Sequence, residues 1–152
     1  MNSLKKRYER VVSQGIDVFK TRDVVARMST MAAILHHKMS HFSWTGFYMK
    51  HEEALVVSAY QGPLACTVLP EGRGVCWDCV ERKTPVIVHD VREFPGHIAC
   101  DERTRSEIVV PVYDANGDIR AVLDVDSMKK GAFNDTDSEG LQKCAELIYK
   151  KF

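Results

Sequence analysis

The stretch "SEIVVPVYDANGDIRAVLDVDS", residues 106–127, decides the fold. Two runs rich in β-branched residues flank Asn116-Gly117, and this dipeptide is a strong signal for the turn of a β-hairpin. Pro111 has no amide hydrogen, so the first strand must have an edge or a bulge at that position. A hairpin joins its strands directly, which predicts antiparallel pairing.

The segments on either side extend the same pattern. Upstream, "SWTGFYMKH" and "EALVVSAYQG" are typical of a second hairpin, and "ACTVLP" and "VIVHD" of two short strands around a helix in "EGRGVCWDCVERKT". An amphipathic helix is predicted over residues 4–20, and Thr21 is predicted to cap a second one. Thr136 and Glu139 have the spacing of a capping box before a final helix.

This order predicts one α+β domain over residues 1–152, with a mostly antiparallel sheet and the terminal helices packed together on one face. The predicted parts are N-terminal helices in residues 1–40, the sheet and its loops in 43–127, and a C-terminal helix in 135–151.

Composition narrows the class of protein. The chain has 152 residues, 45% of them hydrophobic and 28% charged, and 21 basic residues balance 21 acidic ones. The sequence therefore offers no basic excess for nucleic acid. It also contains no apolar run near the ~20 residues of a membrane helix and no secretory signal. We expect a soluble cytoplasmic protein, and a neutral chain is compatible with an oligomer.

Five cysteines, an odd number, argue against a structural disulfide framework and make redox chemistry worth testing. Cys76 and Cys79 form a Cys-x-x-Cys motif, which suits a redox pair at a helix start or half of a zinc site. Cys66 and Cys100 could complete a four-thiolate zinc set. For Cys79 itself, burial as a core residue is the favoured interpretation.

Acidic residues mark the predicted hairpin. Asp124 and Asp126 lie on one face of their strand because side chains alternate, and Glu107 heads the partner strand. Three converging carboxylates would suit an ammonium group or a divalent metal. A solvated sheet edge is the alternative.

Aromatic residues in the first predicted strand also share a face. Trp44 and Tyr48 are four positions apart, which places them on one side of the strand and Phe47 on the other. Gly46 lies between the pair and could leave room for a ligand.

Histidines give weaker signals. His97 precedes Cys100 by three residues, and it could stabilise a thiolate or hold the loop by hydrogen bonds. His37 and His41 are interpreted as solvated imidazoles at a helix end rather than metal ligands.

Together the blocks "WTGFYM", "YQGPLAC", "GRGVC", "FPGHIACD", "SEIVVPV" and "LDVDS" resemble the free methionine-(R)-sulfoxide reductases. The resemblance implies a GAF fold with a six-stranded antiparallel sheet, helices on one face, a ligand pocket on the other, and a homodimer. It also implies a thioredoxin-like reductant and neither metal nor organic cofactor.

By position, the resemblance implies that Cys100 is the catalytic cysteine and that Cys66 or Cys76 resolves its sulfenic acid, with Cys66 favoured. It implies substrate binding by five residues: Trp44, Tyr48, Glu107, Asp124 and Asp126. The chain departs from the family where Trp77-Asp78-Cys79 replaces the usual Gly-Thr-Ala, and this departure leaves Cys79 open as a third candidate for the resolving cysteine. Two alternatives stay open, a GAF sensor that binds a ligand without turnover and a cysteine-ligated zinc protein.

Overall fold

The computed structural model describes residues 2–152, which form four α-helices and six β-strands. The elements, in chain order, are α1 (Ser3–Val18), α2 (Val24–Lys38), β1 (Trp44–Lys50), β2 (Ala54–Gln61), β3 (Val68–Pro70), α3 (Gly74–Arg82), β4 (Val86–Val88), β5 (Ser106–Tyr113), β6 (Ile119–Ser127) and α4 (Asp135–Glu146).

The strands form one antiparallel sheet in the order β3-β2-β1-β6-β5-β4. Both predicted hairpins are present, and Gly117 in the β5–β6 turn has the positive φ, 83°, that favours glycine. The prediction for Pro111 is also confirmed. β4 pairs with β5 only from Glu107 to Val109, so Pro111 has no strand beyond it on that side.

Each face of the sheet has its own apolar core. The face that carries Phe47, Ile108 and Leu123 packs against α2 and α4, and α1 packs on these two helices. The predicted packing of the terminal helices on one face is confirmed. The opposite face carries Val109 and Val122 and is covered by α3 and the long loops. The two cores separate along β5 and β6 because alternate side chains point to opposite sides. Helices therefore occupy both faces, and α3 lies on the face that also holds the acidic residues.

The helix caps differ from those expected. Asp23, not Thr21, caps α2, and its Oδ1 accepts from the Ala26 amide at 2.8 Å. Thr21 instead accepts from the Asp23 amide at 3.1 Å. The capping box of α4 is formed by Asn134 and Asp137 rather than by Thr136 and Glu139. In each case a side chain nearer to the first free amides had the better geometry for capping.

α4 ends at Glu146, shorter than the predicted range to residue 151. The buried Arg27 explains this end. Its Nη1 donates to the carbonyl oxygens of Leu147, Ile148 and Lys150 at 3.2, 3.1 and 2.7 Å. The guanidinium thereby satisfies carbonyl groups that a helix end leaves free.

Candidate active site

Cys66 and Cys100 are joined by a disulfide, with their Cα atoms 5.3 Å apart. Cys66 was expected on a strand, but it lies in the loop of residues 62–67 because β3 pairs with β2 only from Val68 onward. The Tyr48 hydroxyl donates to the Cys66 carbonyl at 3.0 Å and fixes this loop on the sheet. Cys100 lies in an exposed loop before β5. The bond thus joins two loops at the rim of the α3-covered face.

Three carboxyl groups converge on that face. Glu107 is paired across the hairpin with Asp126, and Asp124 is opposite Gly46 of β1. Glu107 and Asp124 are only 6% and 5% exposed, so the alternative of a solvated sheet edge is wrong for them. Asp124 and Asp126 each have a buried Oδ1 without a hydrogen-bond partner among the described residues. These oxygens are available to a bound cation.

Burial controls the protonation of this cluster. Loss of solvation, followed by the charges of Asp124 and Asp126, raises the pKa of Glu107 well above the ordinary range. Loss of solvation likewise raises the pKa of Asp124 and of Asp126. Since three negative charges in one buried cluster repel each other, the cluster favours retention of a proton.

Cys76 and Cys79 are both buried free thiols on α3. A helix start was expected to favour the Cys76 thiolate, but burial and the negative charges of Asp124 and Glu107 raise its pKa instead. Cys79 is fully buried, as the core interpretation predicted, and burial raises its pKa to about 12. Neither residue has the lowered pKa of a reactive thiol.

The four-cysteine zinc set is not present in this structure. Cys66 and Cys100 are bonded to each other, so they offer no thiolate to a metal.

The predicted aromatic pair lines the same face. The rings of Trp44 and Tyr48 are stacked with centroids 5.9 Å apart, and the Tyr60 ring also stacks with Trp44, at 5.2 Å. Gly46 does not leave room for a ligand as expected. A Cβ there would lie 2.3 Å from the Tyr60 Cβ and 2.7 Å from the Trp44 ring, so these two side chains already fill the space.

His97 lies against the acidic cluster. Its Nδ1 is 3.9 Å from Glu107 Oε1, and burial lowers the pKa of its half-buried imidazole. The sequence interpretations linked His97 to the thiol or to its own loop, and neither included this carboxyl neighbour.

The environments of His37 and His41 differ. His37 is exposed, as expected. The expectation for His41 is wrong, because α2 ends before it and its Nε2 lies 2.9 Å from Oδ1 of the fully buried Asp137. Tyr8 donates to the same oxygen at 2.6 Å.

Trp77, where the sequence departs from its relatives, faces away from the cavity. Its Nε1 donates to the Leu69 carbonyl at 3.0 Å, and the ring is 4% exposed. This contact holds α3 against β3. The cavity is therefore lined by other residues.

The structure brings together all eight catalytic and substrate-binding residues that the sequence predicted. They line a single cavity except for Cys66, which closes its rim through the disulfide. Arg73, an exposed cation that lines the cavity, was not predicted from the sequence. The only sequence feature that could have indicated it is its position between Gly72 and Gly74, just before α3. Further lining residues are Leu64, Ala65, Leu69, Val75, His97, Ile98, Asp101 and Thr104.

Residues 21–148 match the family model described as "GAF domain". The chain is 38% identical over 136 residues to "Free methionine-R-sulfoxide reductase" of Escherichia coli (strain K12), which covers 84% of this chain and 82% of that protein. The chain belongs to the GAF-domain family of the free methionine-R-sulfoxide reductases.

Solved structures agree with this membership of the GAF family. The X-ray structure of the free methionine-R-sulfoxide reductase from Neisseria meningitidis in complex with its substrate superposes with a TM-score of 0.91 at 37% identity. The superposition covers 98% of this chain and 90% of the Neisseria meningitidis chain. The relatives also include GAF domain-containing protein A of Dictyostelium discoideum, which is 39% identical over 96% of this chain and 92% of that protein. Among the described residues, no helix combines the length and apolar character needed to cross a membrane.

Proposed function

We propose that this protein reduces free methionine-(R)-sulfoxide to methionine. One observation carries the proposal: a Cys66–Cys100 disulfide stands beside a cavity that contains three clustered carboxyl groups. Relatives named for this activity, at 38% identity and with a substrate complex among the solved structures, support it.

The reaction begins from the reduced enzyme. The Cys100 thiolate attacks the sulfoxide sulfur while the carboxyl cluster protonates the sulfoxide oxygen, with Glu107 as the principal acid. A second proton lets the oxygen leave as water, which leaves the Cys100 sulfur bonded to the substrate sulfur. Water then attacks the Cys100 sulfur and breaks this bond, so methionine departs as the thioether with two more electrons, Cys100 is left as a sulfenic acid, and one proton is returned. The Cys66 thiol then condenses with the sulfenic acid, which forms the disulfide and releases water.

Recognition of the free amino acid follows from the cluster. The remaining negative charge and the unpartnered oxygens of Asp124 and Asp126 would bind an α-ammonium group. A methionine inside a peptide has no such group, so it would leave these buried oxygens without a partner. Trp44 and Tyr48 enclose the methyl-sulfur end by packing.

Cys66 is the resolving cysteine in this proposal, and Cys76 is not. The Cys66–Cys100 pair already has a Cα separation within the range of a disulfide. Cys76 is buried, and its pKa is raised, which disfavours attack as a thiolate.

The catalytic cycle closes when an external dithiol reduces the disulfide by exchange. We propose a thioredoxin-like protein for this step, since the exposed Cys100 is accessible to a partner. By the family resemblance, we also propose a cytoplasmic homodimer that counters oxidative damage to methionine.

A second candidate is a GAF sensor in which the same disulfide reports redox state without turnover. The observation that favours it is the bond itself, which joins two cavity loops and would change ligand access when reduced.

A substrate panel separates the two. Methionine formation is measured with dithiothreitol for the free R epimer, the free S epimer and a peptide-embedded R-sulfoxide. The proposal predicts rapid turnover of the free R epimer only. Comparable rates on all three would contradict the assigned recognition, and no methionine from any would favour the sensor.

A further inference from the structure

Cys76 is a buried nucleophile that the proposed reaction does not use. Its thiol lies beside the acidic cluster, and one ligand atom from each of Cys76, Glu107 and Asp124 falls within 4.8 Å of the others. All three residues are at most 6% exposed. Asp124 Oδ1, moreover, is buried without a hydrogen-bond partner in the part of the chain that the structure describes. A thiol, two carboxyl groups and a free oxygen therefore meet at one point of the cavity.

We propose that Cys76, Glu107 and Asp124 form a binding site for a thiophilic divalent cation such as Zn²⁺ or Cd²⁺. The bound cation occupies the position of the substrate ammonium and blocks the site. The binding statement stands on the geometry of these residues, whereas the blocking statement rests on the proposed function.

The ligand types select the cation. One thiolate and two carboxylates, completed by water, match the three protein ligands and one open position that tetrahedral zinc accepts. Ligand atoms around such an ion are separated by roughly 3.3–3.6 Å. The three ligand atoms lie within 4.8 Å of one another, so binding requires a contraction of at most about 1.5 Å. Mg²⁺ and Ca²⁺ prefer six or more oxygen ligands, and a sulfur ligand disfavours them.

The thiol is what distinguishes this site from an ordinary ammonium pocket. An ammonium group gains little from sulfur, which is a weak hydrogen-bond acceptor. The carboxyl groups of Glu107, Asp124 and Asp126 already supply the charge and the acceptors that an ammonium requires. Cys76 adds a soft ligand, and this makes the cluster selective for thiophilic ions.

His97 supports the arrangement from outside the ligand set. Its Nδ1 lies 3.9 Å from Glu107 Oε1, close enough to orient that carboxylate after a small movement. A partner of this kind is what fixes a metal-binding carboxylate in other sites.

The disulfide state allows a clean binding test. In the oxidised protein Cys66 and Cys100 are bonded, so only Cys76, Cys79 and Cys144 can give a cadmium–thiolate absorption band. Cd²⁺ is titrated into the oxidised full-length protein without oxygen, and mass spectrometry verifies that the disulfide is retained. We expect one saturable band per chain.

Variants assign the band. Cys76→Ala is expected to abolish it, and the matched control Cys79→Ala, on the same helix, is expected to retain it. Asp124→Asn, checked by circular dichroism, is expected to weaken Cd²⁺ binding by at least about 100-fold, since loss of only an outer partner costs about 10- to 100-fold. A missing band in the wild type, or a band that survives Cys76→Ala, would overturn the cation site.

Competition tests the blocking statement. Free methionine, the proposed product, is expected to raise the apparent Kd for Cd²⁺, and Zn²⁺ is expected to inhibit turnover until a chelator is added. Cation binding that methionine does not affect would overturn the shared position. A wild-type protein that binds Cd²⁺ but forms no methionine would defeat the proposed function and leave the cation site supported.

Discussion

In the proposed reaction, Glu107 is the acid that protonates the sulfoxide oxygen. It sits on the sheet rather than in a loop, so its distance from the carboxyl of Asp126 is fixed by hairpin pairing. Burial and neighbouring negative charge both favour its protonated form. The sulfoxide oxygen needs a proton as the thiolate attacks, and this residue can hold one in a buried place.

The pH dependence of the chemical step should reveal this acid. A carboxyl with a raised pKa is active as an acid below that pKa, so the single-turnover rate should fall as pH rises through it. Asp124→Asn removes a negative charge that raises the pKa of Glu107, and we expect the alkaline limb to move to lower pH. The measurement is the rate at saturating substrate against pH for both proteins. An alkaline limb that stays in place would contradict the assigned coupling.

In the proposed reaction, Cys66 is the resolving cysteine. Cys66→Ser should release one methionine per chain and then stop, because the Cys100 sulfenic acid lacks its thiol partner. Quench-flow analysis and mass spectrometry after trapping of the sulfenic acid measure this, with Cys79→Ser as the matched control that keeps cycling. A Cys76–Cys100 bond formed as fast as the wild-type disulfide would show that Cys76 resolves.

At the scale of elements, the regular parts were predictable and the loops were not. Strand alternation placed Asp124 and Asp126 on one face, and the Asn116-Gly117 turn brought Glu107 across from them. Both signals are local. The same rule placed Trp44 and Tyr48 correctly.

The wrong predictions concern features that depend on tertiary contacts, which the local sequence does not show. The space beside Gly46 depends on Tyr60 of another strand, and no local pattern reports that neighbour. Cys76 was expected to be an activated thiol from its helix position, but burial, followed by the negative charges of β5 and β6, raises its pKa.

The close contact of β1 and β2 gives a stability prediction. Gly46→Ala would place a methyl group 2.3 Å from the Tyr60 Cβ, so the strands must shift. We expect a loss of about 1–3 kcal/mol in the free energy of unfolding, measured by urea denaturation. The double variant Gly46→Ala/Tyr60→Gly should lose less than the sum of the single losses, since the two residues touch. Strict additivity would contradict the contact.

For the whole molecule, the disulfide links redox state to stability. It connects residues 34 positions apart, and the intervening chain contains α3 and β4. Reduction frees that loop in the unfolded chain. The core that packs against α2 and α4 does not depend on the bond, because it lies on the opposite side of the sheet from the disulfide. We therefore expect the reduced protein to remain folded and available for catalysis.

Urea unfolding with and without dithiothreitol measures this link. Reduction should lower the free energy of unfolding by up to about 4 kcal/mol, the loop-closure value for a bond of this span. Cys66→Ser should resemble the reduced wild type and should not respond to dithiothreitol. A wild-type protein equally stable in both states would contradict the expected constraint.

In an assay of methionine formation from free methionine-(R)-sulfoxide with dithiothreitol, we expect multiple turnovers by the wild type and none by Cys100→Ser, because a hydroxyl cannot replace the thiolate as nucleophile. Circular dichroism of both proteins verifies that the variant is folded. Turnover by Cys100→Ser, or no methionine from the folded, reduced wild type, would contradict the account.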